Sequence, residues 1–238
     1  MILILAAALS SAPGIRANEQ LLTTEFHRLP DGRGQLAVTN NSETATVMAF
    51  VIVHQSLRAG RRRPISRGSD FKDVLSHSDQ HNFQDAIRPL ETRRFRYGAK
   101  SREIQNEIEL KAAIFSDGTT WGDPECVQRI LRCRRYFYDD LGLAIEKIKA
   151  ALESGTPVES LLQKFEFLSL SLYPGPNFEN FEDERARGDV FGTVAPNLSR
   201  ASATAQGQNG NLTTLLPMLM NWQARIADAK PSILPASK

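Results

Sequence analysis

Hydrophobic periodicity changes once along this 238-residue chain, at Asp123-Pro124, and that change limits what the chain can fold into. Ahead of it, apolar residues recur with a period near two; beyond it they recur three and four apart. A strand sends alternate side chains to opposite faces, whereas a helix gathers positions three and four apart on one face. The two halves are therefore expected to differ in kind, sheet first and helices second.

In the first half, 35–40 (QLAVTN) and 44–55 (TATVMAFVIVHQ) are rich in β-branched residues and are parted by the turn-prone Asn40, Asn41 and Ser42. Along the second of these, Val47, Ala49, Val51 and Val53 alternate with Met48, Phe50, Ile52 and His54, so both faces are apolar. A strand of that kind needs cover on both sides. Two more strands are expected at 92–97 (TRRFRY) and 106–115 (NEIELKAAIF). The latter sets Ile108, Leu110, Ala112 and Ile114 against Glu107, Glu109 and Lys111, the half-buried pattern. Ahead of them, Arg88-Pro89-Leu90-Glu91 reads as a turn. Asp117-Gly118 is a hairpin signal, and Thr119–Trp121 returns as a short strand.

Asp123, Pro124 and Glu125 then supply an N-cap, a first-turn proline and a charge that suits the helix dipole. From Val127 through Ile130, Phe137, Leu141, Ile145 and Ile148 the stripe keeps helical spacing up to Gly155, with Gly142 marking a bend. Thr156-Pro157-Val158-Glu159 restarts a helix with a capping box, and Leu161, Leu162, Phe165 and Leu168 continue its stripe. So short a connection predicts an antiparallel αα-hairpin. Residues 177–210 turn to Gly, Ser, Ala, Asn and charge, the composition of a flexible segment. The final stripe runs from Leu212 to Ile226, and Pro217 places the start of its helix nearby.

The expected fold is thus α+β: a small antiparallel immunoglobulin-like β-sandwich followed by a helical C-terminal region, an αα-hairpin plus one further helix. Its segments are a signal peptide over 1–17, the sandwich over 20–122, the hairpin over 123–173, a flexible linker over 174–210 and the C-terminal helix over 211–230. The run Ala113-Ile114-Phe115-Ser116-Asp117-Gly118-Thr119-Thr120-Trp121-Gly122-Asp123-Pro124 resembles uncharacterised exported bacterial proteins that join an immunoglobulin-like region to a helix through an Asp-Gly-Thr-x-Trp-Gly hairpin. The resemblance implies fold and export and brings no catalytic residue with it.

Ile2–Leu9 is an unbroken apolar run followed by small residues, as in a secretory h-region. Eight residues span about 12 Å as a helix, short of the roughly 30 Å of a bilayer core, so no transmembrane segment is expected. The expected location is the periplasm or the extracellular space. Cys126 and Cys133 lie seven apart on one helix, about 10.5 Å along its axis, beyond disulfide reach, and read as small buried hydrophobes.

Lys and Arg number 29 against 27 Asp and Glu, a net charge of +2, which gives no ground for nucleic-acid binding. Three constellations bear on chemistry. His77, His81 and Asp85 recur every four residues, a spacing that would gather metal ligands on a helix, but no apolar stripe holds a helix there. Arg58, Arg61, Arg62, Arg63 and Arg67, with Arg93, Arg94 and Arg96, could engage phosphate or carboxylate, or guard a sheet edge. Trp121 is expected to cover the open end of the sandwich against the following helix. Arg187-Gly188-Asp189 carries no functional reading, and Asn40, Asn197 and Asn211 occupy glycosylation triplets.

No catalytic, cofactor-binding or metal residue is assigned, and no cofactor is expected. Without a nucleophile elbow, phosphate loop or zincin helix, the reading is an exported, non-enzymatic binding or structural module. Its partner would be a protein or an anionic glycan or lipid. The alternatives are a metal-dependent hydrolase around His77 and His81, and an anion-binding adaptor using Arg61–Arg63.

Overall fold

The computed structural model describes residues 21–58, 66–76, 86–98, 104–172, 190–196 and 210–233. Strands come first and helices second, so the α+β expectation holds. The strands are β1 (Leu22–Arg28), β2 (Gly34–Asn40), β3 (Val47–Arg58), β4 (Ser66–Asp73), β5 (Thr92–Tyr97), β6 (Ile104–Phe115) and β7 (Thr120–Gly122). They form two antiparallel sheets, one ordered β1-β2-β5 and the other β4-β3-β6-β7. The inner faces share a core in which Leu22, Leu36 and Val38 meet Phe50, Ile52, Leu110 and Phe115. A tilted Phe50–Phe95 pair, 5.3 Å between ring centroids, joins the two sheets.

The helices are α1 (Pro124–Ser154), α2 (Val158–Leu172), the short α3 (190–196) and α4 (Gly210–Ala227). The cover that β3 requires on its second side comes from the first turns of α1. Val127 and Ile130 lie against Ala49, Val51, Ala112 and Ile114 on the outer face of the four-stranded sheet. At 1.5 Å per residue α1 is about 46 Å long. Its remaining turns leave the sheet and form a separate core, where Phe137, Leu141 and Ile148 meet Phe165, Phe191, Leu219 and Trp222.

Simple alternation fails in two places, because two β-bulges reverse it. In β3, Val47 pairs with Phe115 and Ala49 with Ile114, leaving Met48 extra. Val47 therefore shares the inner face with Phe50 and Ile52, not the outer face with Ala49 and Val51. In β6, Val51 pairs with Ala112 and Ile52 with Leu110, leaving Lys111 extra. Ile108 and Leu110 face the inter-sheet core, and after the bulge Ala112 and Ile114 face α1. The four residues expected on one side are divided two and two.

The sheet-to-helix junction follows the sequence closely. The Asp117 side chain accepts from the Thr119 N–H (2.9 Å), and Gly118 N–H donates to Phe115 O (3.0 Å). Asp123 Oδ1 accepts from the N–H groups of Glu125 (2.8 Å) and Cys126 (3.1 Å), the expected N-cap. Trp121 turns to the inter-sheet core, opposite Ala113, and not to the helix. At the far end of α1, Gly155 has a left-handed φ of 64° and donates to Ala151 O. Gly142, expected as a bend, is a point of close approach: a β-carbon there would lie 3.0 Å from Gln223 Nε2.

Two differences concern the C-terminal third. Residues 190–196, inside the expected linker, form α3, whose Val190, Phe191 and Val194 are buried in the helical core. Only two apolar anchors per turn are needed to seat so short a helix, too few to register as a stripe. α4 begins at Gly210 and carries Pro217 within it. Proline is accommodated because Leu212, Leu215, Leu219 and Trp222 hold the buried face while Pro217 lies on the exposed one, where water can reach the freed carbonyl.

One polar hub joins sheet and helices. A 3₁₀ turn, Val74–Ser76, follows β4. Asp73 at its start is fully buried and takes a two-pronged bond from Arg134 of α1, Nε to Oδ2 at 2.7 Å and Nη2 to Oδ1 at 3.3 Å. Asp73 Oδ1 also accepts from Leu75 N–H (2.9 Å), and Trp222 Nε1 of α4 donates to Leu75 O (2.7 Å). Arg134 Nη1 reaches Lys230 O at 3.4 Å.

Candidate functional site

The four-stranded sheet is covered on both faces, while the outer face of the β1-β2-β5 sheet carries no second layer among the described residues. Antiparallel register fixes what that face displays. Leu36, Val38, Phe95 and Tyr97 point into the core, so their neighbours in sequence point outward. Three rows result: Thr23, Thr39 and Thr92; Glu25, Ala37 and Arg94; His27, Gln35 and Arg96.

The face is polar and partly organised. Thr39 and Thr92 share a hydrogen bond between their hydroxyls (2.8 Å), and Asn41 Nδ2 donates to Thr23 Oγ1 (2.7 Å). Arg96 Nε donates to Gln35 Oε1 (3.3 Å). Arg94 and Arg96, two residues apart on one strand, stand about 7 Å apart. Neither has a carboxylate at ion-pair distance among the described residues. Guanidinium groups so placed can each take an oxyanion through paired N–H donors, with the threonine row offering hydroxyls alongside.

The expected arginine group is divided by this geometry. Arg93 lies on the opposite side of β5 and is held by Glu91, Nη2 to Oε1 at 3.1 Å. Partial burial works to raise the Glu91 carboxyl, but Arg88 N–H and the Arg93 guanidinium outweigh it and hold that carboxyl below its ordinary range. Arg58 ends β3 and is exposed. Arg61, Arg62, Arg63, His77, His81, Asp85, Arg187-Gly188-Asp189 and Asn197 lie outside the described residues, as do the expected signal segment and the side chains of Arg67 and Asn211.

A second cluster, which residue patterns did not reveal, closes the inter-sheet core where β3, β4 and β5 meet. The Tyr97 ring stacks on His54 (centroids 4.8 Å, planes 18° apart), and its hydroxyl donates to Asp70 Oδ2 (2.6 Å). Ser56 Oγ donates to Asn106 Oδ1 (2.7 Å), and Asn106 Nδ2 donates to Gly32 O (2.8 Å). Ser56 faces an amide and not an imidazole, so among the described residues no base is placed to activate it. The cluster is a polar seal. Its trace in the sequence is the turn from apolar to polar at His54-Gln55-Ser56 near the end of β3.

Other sites of chemistry are sparse. Among the described residues no group of His, Cys, Asp and Glu could hold a metal ion. A groove of about 420 Å³ between α1 and α2 is lined by Lys147, Ser160, Gln163, Lys164, Phe167 and Leu168, which include no acid–base pair. Neither Cys126 nor Cys133 is in a disulfide; burial, and then the Asp123 carboxylate, push the Cys126 thiol up, away from the reactive thiolate.

Asn40, the first residue of a glycosylation triplet, is fully buried. Its amide nitrogen spans Ala45 O (2.8 Å), Ile87 O (3.0 Å) and Arg88 O (3.1 Å), and its oxygen accepts from Ser42 N–H (3.0 Å). Ile87 O and Arg88 O also accept from the N–H groups of Val47 (2.9 Å) and Glu91 (3.1 Å), so Asn40→Ala strands Ala45 O and Ser42 N–H and is expected to lower stability by about 1–3 kcal/mol in urea titrations. A loss below about 0.5 kcal/mol would show that water satisfies them.

No described helix is long and apolar enough to cross a membrane. No family model, curated protein or solved structure matches the chain.

Proposed function

We propose that this chain is an exported, non-enzymatic binding module whose three-stranded face takes an anionic partner, an acidic glycan foremost. The single observation that carries the reading is the pair Arg94 and Arg96, side by side on a sheet face that has, among the described residues, no second layer and no carboxylate partner for either. A threonine row beside two guanidinium groups suits a polymer that alternates hydroxyl and carboxylate or sulfate. The immunoglobulin-like reading belongs to the same proposal. It is supported by three strands, β1-β2-β5, facing four, β4-β3-β6-β7, around one core. Export rests on the apolar run Ile2–Leu9 and the Asp-Gly-Thr-x-Trp-Gly resemblance.

The test is affinity for a uronic-acid polysaccharide, with heparin as a denser polyanion, measured across a salt series. Affinity should fall steeply as salt rises, and R94A/R96A should weaken it about tenfold or more at low salt. Arg94 and Arg96 are exposed, so the fold should persist. Salt-independent binding, or equal affinity in the double variant, would remove this face from the function.

A further inference from the structure

The edges of the three-stranded sheet differ in a way that points to a partner. β5 carries Arg93, Arg94 and Arg96 along its length, and a second β5 laid against it would oppose guanidinium with guanidinium. β1, Leu-Thr-Thr-Glu-Phe-His-Arg, has no proline, lysine or bulge, pairs with β2 over all seven residues, and leaves its other edge open among the described residues.

Hydrogen bonding fixes which groups of β1 face outward. Leu21 O accepts from Asn41 N–H and Leu29 N–H donates to Arg33 O, so odd-numbered residues bond toward β2. In an antiparallel pair the direction alternates, so Thr24, Phe26 and Arg28 direct their backbone N–H and C=O groups away from β2. Phe26, at the middle of that row, is 46% exposed and lies over Gly34 and Ile108.

We propose that a second copy of this chain pairs along β1, antiparallel, about a two-fold axis at Phe26. This register places Phe26 opposite Phe26 of the other copy as a hydrogen-bonded pair, and Thr24 opposite Arg28. Glu25 then stands opposite His27, twice. Those positions are non-hydrogen-bonded pairs, where side chains come closest. The two groups already attract within one strand, His27 Nε2 lying 3.4 Å from Glu25 Oε2. A two-fold axis at Glu25 would instead set carboxylate against carboxylate, and one at Thr24 would leave Phe26 beside the buried Leu22. Symmetry, hydrogen-bond direction and charge agree on one register.

A pairing this small should give a monomer–dimer equilibrium with Kd on the order of 100 µM. Sedimentation velocity from low to high micromolar concentration reads it directly. E25K should weaken dimerisation about tenfold or more, and E25H/H27E, which exchanges the two groups, should restore it. Both side chains are exposed, so the fold should be unaffected. T24P removes an outward N–H without touching the bonds to β2 and should abolish the dimer while circular dichroism stays unchanged. A wild-type chain that stays monomeric at several hundred micromolar overturns the proposal. So does a dimer indifferent to T24P, or one that E25K weakens and E25H/H27E fails to rescue.

Discussion

Replacing Arg134 with alanine should lower the free energy of unfolding by about 3–5 kcal/mol, the cost of leaving a buried carboxylate without its cation. Arg134 and Asp73 are each 1% exposed. The loss would take much of a typical margin of about 5–15 kcal/mol. Part of the cost is geometric. Asp73 begins the turn whose Leu75 carbonyl receives the Trp222 indole N–H, so freeing its carboxylate loosens α4 as well as α1. Trp222 is buried and Trp121 only partly so, which lets fluorescence follow the hub. The variant should show a red-shifted native spectrum and a lower urea midpoint. Pairing R134M with D73N separates charge from packing: with both charges gone, the double variant should recover at least about 1 kcal/mol relative to R134A. A single-variant loss under about 1 kcal/mol would mean that water reaches Asp73 and that the hub does not hold sheet and helices together.

The hub also shows where reading the sequence stops. Asp73, Arg134 and Trp222 are 61 and 88 residues apart along the chain, and no local pattern distinguishes them from surface Asp, surface Arg or core Trp. What was legible was local: the N-cap at Asp123, the hairpin at Asp117-Gly118, the helical stripe of α1 and the need for β3 to be covered twice. Each is decided by neighbours within a turn or a strand. The bulges at Met48 and Lys111 were not legible, because an extra residue in one strand is defined by its partner strand. The first of these slips moved Val47, and the second Ala112 and Ile114, to the face opposite the one alternation assigns. The candidate face falls between these cases. That Arg94 and Arg96 share a side of β5 and Arg93 does not follows from a period of two. That they stand beside Gln35 and the threonine row follows from register, which only the sheet supplies.

Gly122→Ala should cost about 3 kcal/mol or more, and the reason lies in the bulge it faces. Gly122 has φ of 90°, and a β-carbon there would lie 2.1 Å from Lys111 O. That carbonyl belongs to the extra residue of β6 and already accepts from Asp123 N–H at 2.8 Å. It cannot retreat without breaking the bond that places Asp123, and Asp123 caps α1. Relief of the clash therefore frees β7, weakens the cap by about 1 kcal/mol and lifts Val127 and Ile130 from the sheet. Gly155 is the internal control. It too has a positive φ, 64°, but a β-carbon there would meet nothing within 4 Å, so Gly155→Ala should cost only the left-handed backbone penalty of about 1–2 kcal/mol. Equilibrium unfolding of the two variants side by side decides the matter. A gap of at least about 1 kcal/mol, with loss of near-ultraviolet dichroism from Trp121 in Gly122→Ala alone, is expected. Equal losses would mean that the backbone conformation alone requires glycine at 122, and that the approach to Lys111 is not what fastens the sheet to the helix.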